Sequence, residues 1–305
     1  MGHDHGHGSV GAAHRGRLAV VLAMSLTVLV VEAVVALLTG SLALLADAAH
    51  LLGDSFGLVL ALAAITVAQR GGAPGSRRTF GYHRTEILAA GLNGLALIGL
   101  CVWIVVGAVR RLGAPEPLEA WPVLVAGAVG LAVNVAGLLI LREGAGESLN
   151  VRGAYLEVLG DAAGSAAVIV SSLVVLGTGW VRADAVASLV IALLVAPRAV
   201  SLLRDVAGVL MESAPSDMDL AELRRHLCEV PGVVDVHDLH VWTITSGMPV
   251  MSAHIVVEDS IERMGQAHEV LDRLRVCLAE HFDVEHSTLQ LEPRGHADSE
   301  ASLHV

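Results

Sequence analysis

The sequence contains no lysine. All 19 of its basic residues are arginine, set against 31 acidic residues and 15 histidines, for a formal charge of -12 over 305 residues. No basic surplus is available to select a nucleic acid, and that class of partner is excluded. Cysteine is scarce too: Cys101, Cys228 and Cys277 form no CxxC pair and no disulfide framework, as expected of a reducing cytoplasm, and are read as packing residues. The first hydrophobic stretch is too long for a signal-peptide core and lacks a convincing small-residue cleavage site ahead of a secreted domain, so it is read as a membrane helix.

What the chain has in abundance is apolar sequence, 54% of its residues with a mean hydropathy of +0.66, concentrated in the first two thirds. A hydrocarbon core about 30 Å thick needs about 20 mostly apolar residues per helix. Six stretches qualify, roughly 18–39, 42–68, 86–109, 121–141, 154–176 and 183–203. The expectation is a polytopic α-helical membrane protein with six transmembrane helices over residues 18–212. With the N-terminus inside, Arg15, Arg17, Arg70, Arg77, Arg78, Arg84, Arg142, Arg152, Arg198 and Arg204 lie on the inner side, and Arg110, Arg111 and Arg182 outside. That bias favours both termini in the cytoplasm and a cell-membrane location.

The chain is organised around a repeat. HLLGDSFG at His50 to Gly57 returns as EVLGDAAG at Glu157 to Gly164. In each copy a metal-ligand residue type precedes an Asp by four positions: His50 and Asp54, then Glu157 and Asp161. Four residues is one helical turn, so each pair shares a helix face, separated by roughly 6 Å of rise. Each Asp sits within a GxxxG, which lets membrane helices approach closely. If the copies face each other, the four side chains converge on one point, the ligand count of a tetrahedral divalent cation. A lone Gly-rich packing face with a stray acid would not repeat.

Other acids lie in the apolar sequence. Glu32 is on the first span. Asp47 lies three residues before His50 and is read as supporting the ligands from behind, or as an alternative ligand, since the repeat sets it opposite Ala154. Intramembrane ionisable groups normally face a bundle interior or a wet cavity. Asn93 and Asn134 are read as interhelical hydrogen-bonding residues, and Pro197 as a kink near the inner end of the sixth span. Residues 1–17, with His3, His5, His7 and His14 among glycines, are a cytoplasmic tail that either collects metal or has no role.

SAPS at Ser213 to Ser216 marks a domain boundary. Residues 213–293 then read as a small cytoplasmic α+β domain of order αββαβ, and 294–305 as a disordered tail. Its core is small enough for dimerisation to be a reasonable way of covering the sheet. With a turn centred on Gly247, His240 and His254 stand directly opposite across the hairpin, where Cβ atoms about 5 Å apart can share a metal. Glu292 or His286 would complete that site. His237 belongs to the same strands. Half-buried histidines bonded to backbone or to Asp238 account for these residues equally well.

The six spans, the paired motif, FGYHRTEILAAGLNG, VLMESAP, and HDLHVWTITSG followed by HSTLQLE together resemble the cation diffusion facilitator family, in its zinc, cobalt and cadmium exporting branch. The resemblance covers about Arg17 to Glu292. It implies a homodimeric transporter, neither an enzyme nor a cofactor binder, that exchanges a divalent metal for protons and carries a metal-binding, regulatory cytoplasmic domain. By matching positions it makes His50, Asp54 and Asp161 transport ligands, and His240, His254 and Glu292 cytoplasmic metal residues.

One departure stands out: the zinc branch usually has His where this chain has Glu157. Three carboxylates and a neutral imidazole carry a formal charge of -3 when ionised, so a divalent ion would leave one negative charge inside the bilayer, which is expensive. Oxygen donors also favour manganese, iron or cobalt more than two imidazoles do. Zinc stays the first expectation as transported and regulatory ion, with cobalt, cadmium, manganese or iron as alternatives. A non-transporting membrane metal sensor leaves the paired intramembrane carboxylates unexplained, and a channel fits poorly with a tight four-ligand site.

Overall fold

The computed structural model of the chain describes residues 7–68, 77–142, 149–284 and 286–296, with side chains from Leu18 in the first stretch and from Val151 in the third. The chain divides into two compact units, one within residues 1–60 and 91–203, the other within 61–90 and 204–305.

Six long helices come first: α1 (His7–Thr39), α2 (Leu42–Ala68), α3 (Thr85–Gly113), α4 (Ala120–Leu141), α5 (Leu149–Thr178) and α6 (Arg182–Leu210). Each is long and apolar enough to cross a membrane. Their apolar middles are where hydropathy places them, but α3, α5 and α6 run further, because backbone hydrogen bonding does not stop where the side chains turn polar. The helical backbone of α1 begins at His7, ahead of the apolar run. The metal-collecting reading of His3, His5, His7 and His14 rests on side chains outside the described residues, and of the tail expected to be disordered, 294–305, residues 297–305 also lie outside them.

In the first unit α4 packs along both α1 and α5. Gly127, Gly130, Asn134, Gly137 and Leu141 are its buried stripe, repeating at three or four residues, a spacing that lets helix backbones come close. Gly127 faces Val168 and Ile169 of α5, and Gly137 faces Val158 and Val21. The amide of Asn134 donates to Ser165 Oγ at 3.4 Å, an interhelical bond of the kind expected. Large apolar side chains point outward: Val30, Leu38 and Leu193 are 62%, 81% and 72% exposed, while Glu32, Asp47, His50 and Asp161 are buried. That distribution suits lipid outside and a polar interior.

The α1–α2 link is only two residues long, which requires Gly40 at φ +72°. Its far side is held by Asp184 at the start of α6. The Asp184 carboxylate accepts from Ser41 Oγ at 2.5 Å and from the backbone N–H groups of Leu42 and Ala43 at 2.7 and 3.3 Å, so an acid on one helix caps another. Asp184→Ala strips this buried cap and is expected to lower stability by about 1–3 kcal/mol. The measurement is thermal unfolding in detergent, with Asp184→Asn, which keeps one acceptor, falling between the two.

The second unit holds the C-terminal domain: α7 (Leu220–Cys228), β1 (Val233–Thr243), β2 (Pro249–Val257), α8 (Met264–His281) and β3 (His286–Glu292). The αββαβ order is as expected. Asp219 caps α7 by accepting from the N–H groups of Ala221 and Glu222. The sheet order is β1-β2-β3, with β1 antiparallel and β3 parallel to β2. Its core joins Leu223 and Leu227 of α7 and Val270, Leu274 and Leu278 of α8 to Val236, Met251, Ala253 and Ile255 of the strands. The four-residue spacing on α8 sets one apolar stripe against the sheet.

The hairpin register differs from the one read off Gly247. His254 pairs with His237, and His240 pairs with Ser252. Register shifts fall between Val233 and Asp235 and between His237 and His240, where Asp238 takes a left-handed φ of +48°. The turn is centred on Ser246, one residue before Gly247, which already sets His240 opposite Ser252, and the bulge, which adds a residue to one strand only, then brings His237 opposite His254. Burial pushes the thiols of Cys228 and Cys277 above their usual range, and nearby carboxylates, Asp235 for the first and Glu229 and Glu280 for the second, add to it. These cysteines stay protonated and are poor metal ligands.

Candidate metal centre

The repeated motif folds as two facing helical turns, with His50 and Asp54 on α2 and Glu157 and Asp161 on α5. His50 Nε2 lies 3.5 Å from Asp161 Oδ1 and 3.6 Å from Asp54 Oδ2. One ligand atom from each of these three residues falls within 4.8 Å of the others. The distances are long for hydrogen bonds. They match a coordination shell instead, since metal–ligand bonds of ~2.0–2.2 Å give a tetrahedron with edges of ~3.3–3.6 Å. His50 and Asp161 are 7% and 4% exposed. His50 Nδ1, Asp54 Oδ2 and Asp161 Oδ1 are buried without any hydrogen-bond partner, a costly arrangement unless another ligand satisfies them.

Glu157 stands beside this triad. Its carboxyl interacts with that of Asp54, and it is half-buried. Asp47 is placed elsewhere. It accepts from Ser165 Oγ at 3.2 Å, and among the described residues no hydrogen bond joins it to His50 or Asp54, so it does not support these ligands as expected.

Arg198 on α6 is a residue that sequence reasoning missed. Its Nη1 lies 3.6 Å from where a Cβ on Gly160 would stand, on the turn between Glu157 and Asp161. It acts electrostatically on His50, Asp54, Glu157 and Asp161, yet forms no direct ion pair among the described residues. Three carboxylates at -3 and one guanidinium at +1 sum to -2, the charge that a divalent cation neutralises. The available signal was an arginine following Pro197 inside an otherwise apolar helix, which had been assigned only to the inner-side charge bias.

The C-terminal domain holds a second cluster. Glu292 on β3 is 2% exposed and stands between two imidazoles, 3.1 Å from His237 Nε2 and 2.7 Å from His254 Nδ1. The three offer ligand atoms within 4.8 Å of one another, and the two rings are 5.2 Å apart. His240 does not join them; it turns to Asp238 at 3.0 Å, which also approaches His254 Nε2 at 3.7 Å. His286, at the other end of β3 opposite Val250, packs edge-on against Phe80. Of the residues expected there, His254 and Glu292 come together, His240 and His286 do not, and His237 takes the vacant place because the bulge at Asp238 brings it opposite His254.

Comparison with known proteins agrees with both halves. Residues 18–211 match the cation efflux transmembrane domain, and residues 215–294 the cytoplasmic domain of cation efflux proteins. The chain is 40% identical over 304 residues to the metal cation efflux system protein CzcD of Cupriavidus metallidurans, covering 100% of this chain and 94% of that one. It is 36% identical over 305 residues to a cadmium, cobalt and zinc/H(+)-K(+) antiporter of Bacillus subtilis, covering 99% and 96%. It is 38% identical over 297 residues to the zinc transporter ZitB of Escherichia coli, covering 96% and 93%. With six membrane-length helices followed by the αββαβ domain, the chain belongs to the cation efflux, or cation diffusion facilitator, family, in its zinc, cobalt and cadmium exporting branch.

Proposed function

We propose that this protein exports a divalent transition metal from the cytoplasm in exchange for protons, by alternating access at His50, Asp54, Glu157 and Asp161. Zinc is the first substrate, with cobalt and cadmium beside it. The observation that carries this reading is a set of ligand atoms at coordination spacing, buried and without partners, inside membrane-length, predominantly apolar helices. Six spans preceding a cytoplasmic domain return the N-terminus to the same side, so both termini are cytoplasmic. The small sheet of the C-terminal domain supports a homodimer.

Metal requires ionised carboxylates and a neutral imidazole, so protons compete with it at every ligand, and acidification lowers its affinity. Protons arriving from the outer side displace the ion there, and the protonated site returns. The printed name of the Bacillus relative, which pairs zinc with H(+), supports this exchange. Arg198 acts as the fixed counter-charge that lets a three-carboxylate site hold a divalent ion at no net charge. A second reading, selectivity for manganese or iron, is favoured by the same three carboxylates.

The test is metal uptake into proteoliposomes with an imposed pH gradient, for zinc, cobalt, cadmium, manganese and iron. Zinc flux that rises with the gradient is the expected result. Uptake indifferent to the gradient would remove proton exchange, and uptake of manganese or iron in preference to zinc would replace the first substrate.

In the cytoplasmic domain, His237, His254 and Glu292 are the residues fit to hold a regulatory ion. Glu292→Ala is expected to weaken zinc binding there by ~10-fold or more, since even residues that only orient metal ligands cost that much. Calorimetric titration of full-length protein carrying Asp161→Asn, compared with the same protein also carrying Glu292→Ala, isolates the effect.

A further inference from the structure

The membrane unit contains a second pair of buried carboxylates that the four-ligand site leaves unused. Glu32 of α1 is 0% exposed, and neither of its carboxylate oxygens has a hydrogen-bond partner. Asp47 of α2 is 2% exposed and accepts from Ser165 Oγ of α5 at 3.2 Å. Asn134 of α4 donates to the same hydroxyl at 3.4 Å. Four helices therefore each contribute one oxygen-bearing side chain to one place.

Two glycines make that place. A Cβ on Gly130 would lie 2.5 Å from Glu32 Oε1 and 3.1 Å from Ser165 Oγ, so the carboxylate and the hydroxyl converge on the notch its missing side chain leaves. A Cβ on Gly164 would collide with the Asp47 carboxylate. If Glu32 were a neutral structural acid, its hydroxyl would be expected to reach an acceptor, yet both oxygens are free of partners. An unpartnered carboxyl in hydrocarbon is expensive and normally marks an ion pathway.

We propose that Glu32, Asp47, Ser165 and Asn134 form a second, oxygen-lined station for a divalent cation in the membrane domain, passed by cargo on its way out from the four-ligand site. The inference rests on the export reading for its direction. Asp47 lies one turn before His50 on α2, toward the end of that helix remote from its cytoplasmic terminus. Glu32 lies within electrostatic range of both Asp47 and Asp161, so the two sites are near enough to act on each other. The station has no imidazole, and oxygen donors hold zinc less tightly than a mixed nitrogen and oxygen set does. An ion delivered there is attracted strongly enough to arrive and weakly enough to leave, as conduction through successive sites requires.

The probe is manganese, which oxygen donors suit, titrated into the full-length detergent-solubilised protein with the free ion followed by electron paramagnetic resonance. Glu32→Gln is expected to lose about one bound ion per protomer relative to wild type, Asp161→Asn a different one, and the double variant both. Equal stoichiometry and affinity in Glu32→Gln and wild type would overturn the station. Loss in Glu32→Gln without loss in Asp161→Asn would instead sink the four-ligand reading and leave the station standing. Ser165→Ala changes no charge and serves if Glu32→Gln aggregates. A roughly tenfold weaker manganese affinity supports the proposal, and an unchanged affinity overturns it.

Discussion

Asp161→Asn is expected to abolish zinc flux in proteoliposomes while the protein keeps its fold and its cytoplasmic metal binding. Asp161 is 4% exposed and 3.5 Å from His50 Nε2, with Oδ1 lacking any partner. The amide has nearly the same shape but neither the charge nor a second acceptor oxygen. Breaking a buried ionic contact by neutralising one partner costs about 3–5 kcal/mol. At 1.4 kcal/mol per factor of ten, that is a ~100- to 4,000-fold loss of affinity at the proposed transport site. Without metal the sign reverses: three neighbouring carboxylates repel one another, so removing one leaves thermal stability unchanged or higher. Loss of flux together with a retained or raised unfolding midpoint separates a lost ligand from a lost fold. Flux within a few-fold of wild type would mean that Asp161 is no ligand.

The candidate membrane metal residues were legible because a repeat is visible without any structure: two GDxxG copies with a ligand residue type one turn upstream of each Asp. The spans were equally legible, because apolar side chains mark the bilayer. Less legible was anything set by contact between distant segments. Asp184 caps α2 from 142 residues away, and nothing local to Asp184 or Leu42 announces it. His237 was passed over in favour of His240 because the turn was centred one residue late, on Gly247 instead of Ser246, and the bulge at the left-handed Asp238 then shifts the strand by a further residue. Asp47 was assigned to its own helix face, whereas its hydrogen bond goes to α5.

Arg198 shows the same limit and leads to the sharpest test of the transport site. If its charge balances Glu157, the two residues are coupled, and their single substitutions err in opposite directions. Arg198→Ala leaves the site at -3, so a divalent ion is held more tightly and released more slowly. Glu157→His leaves two carboxylates beside the guanidinium, a net -1, so the ion binds weakly and the KM for zinc rises. The double variant returns to -2 and regains flux. Charged residues in such proximity couple by about 0.5–3 kcal/mol. Because Arg198 is itself exposed, the lower half of that range applies, for an expected rescue of about tenfold over the product of the two single effects. The double variant also carries the second imidazole, so its metal ranking moves toward zinc and away from manganese relative to wild type. Flux and metal ranking measured in the same vesicles read both effects. Simple additivity of the two single losses would show that Arg198 does not balance Glu157.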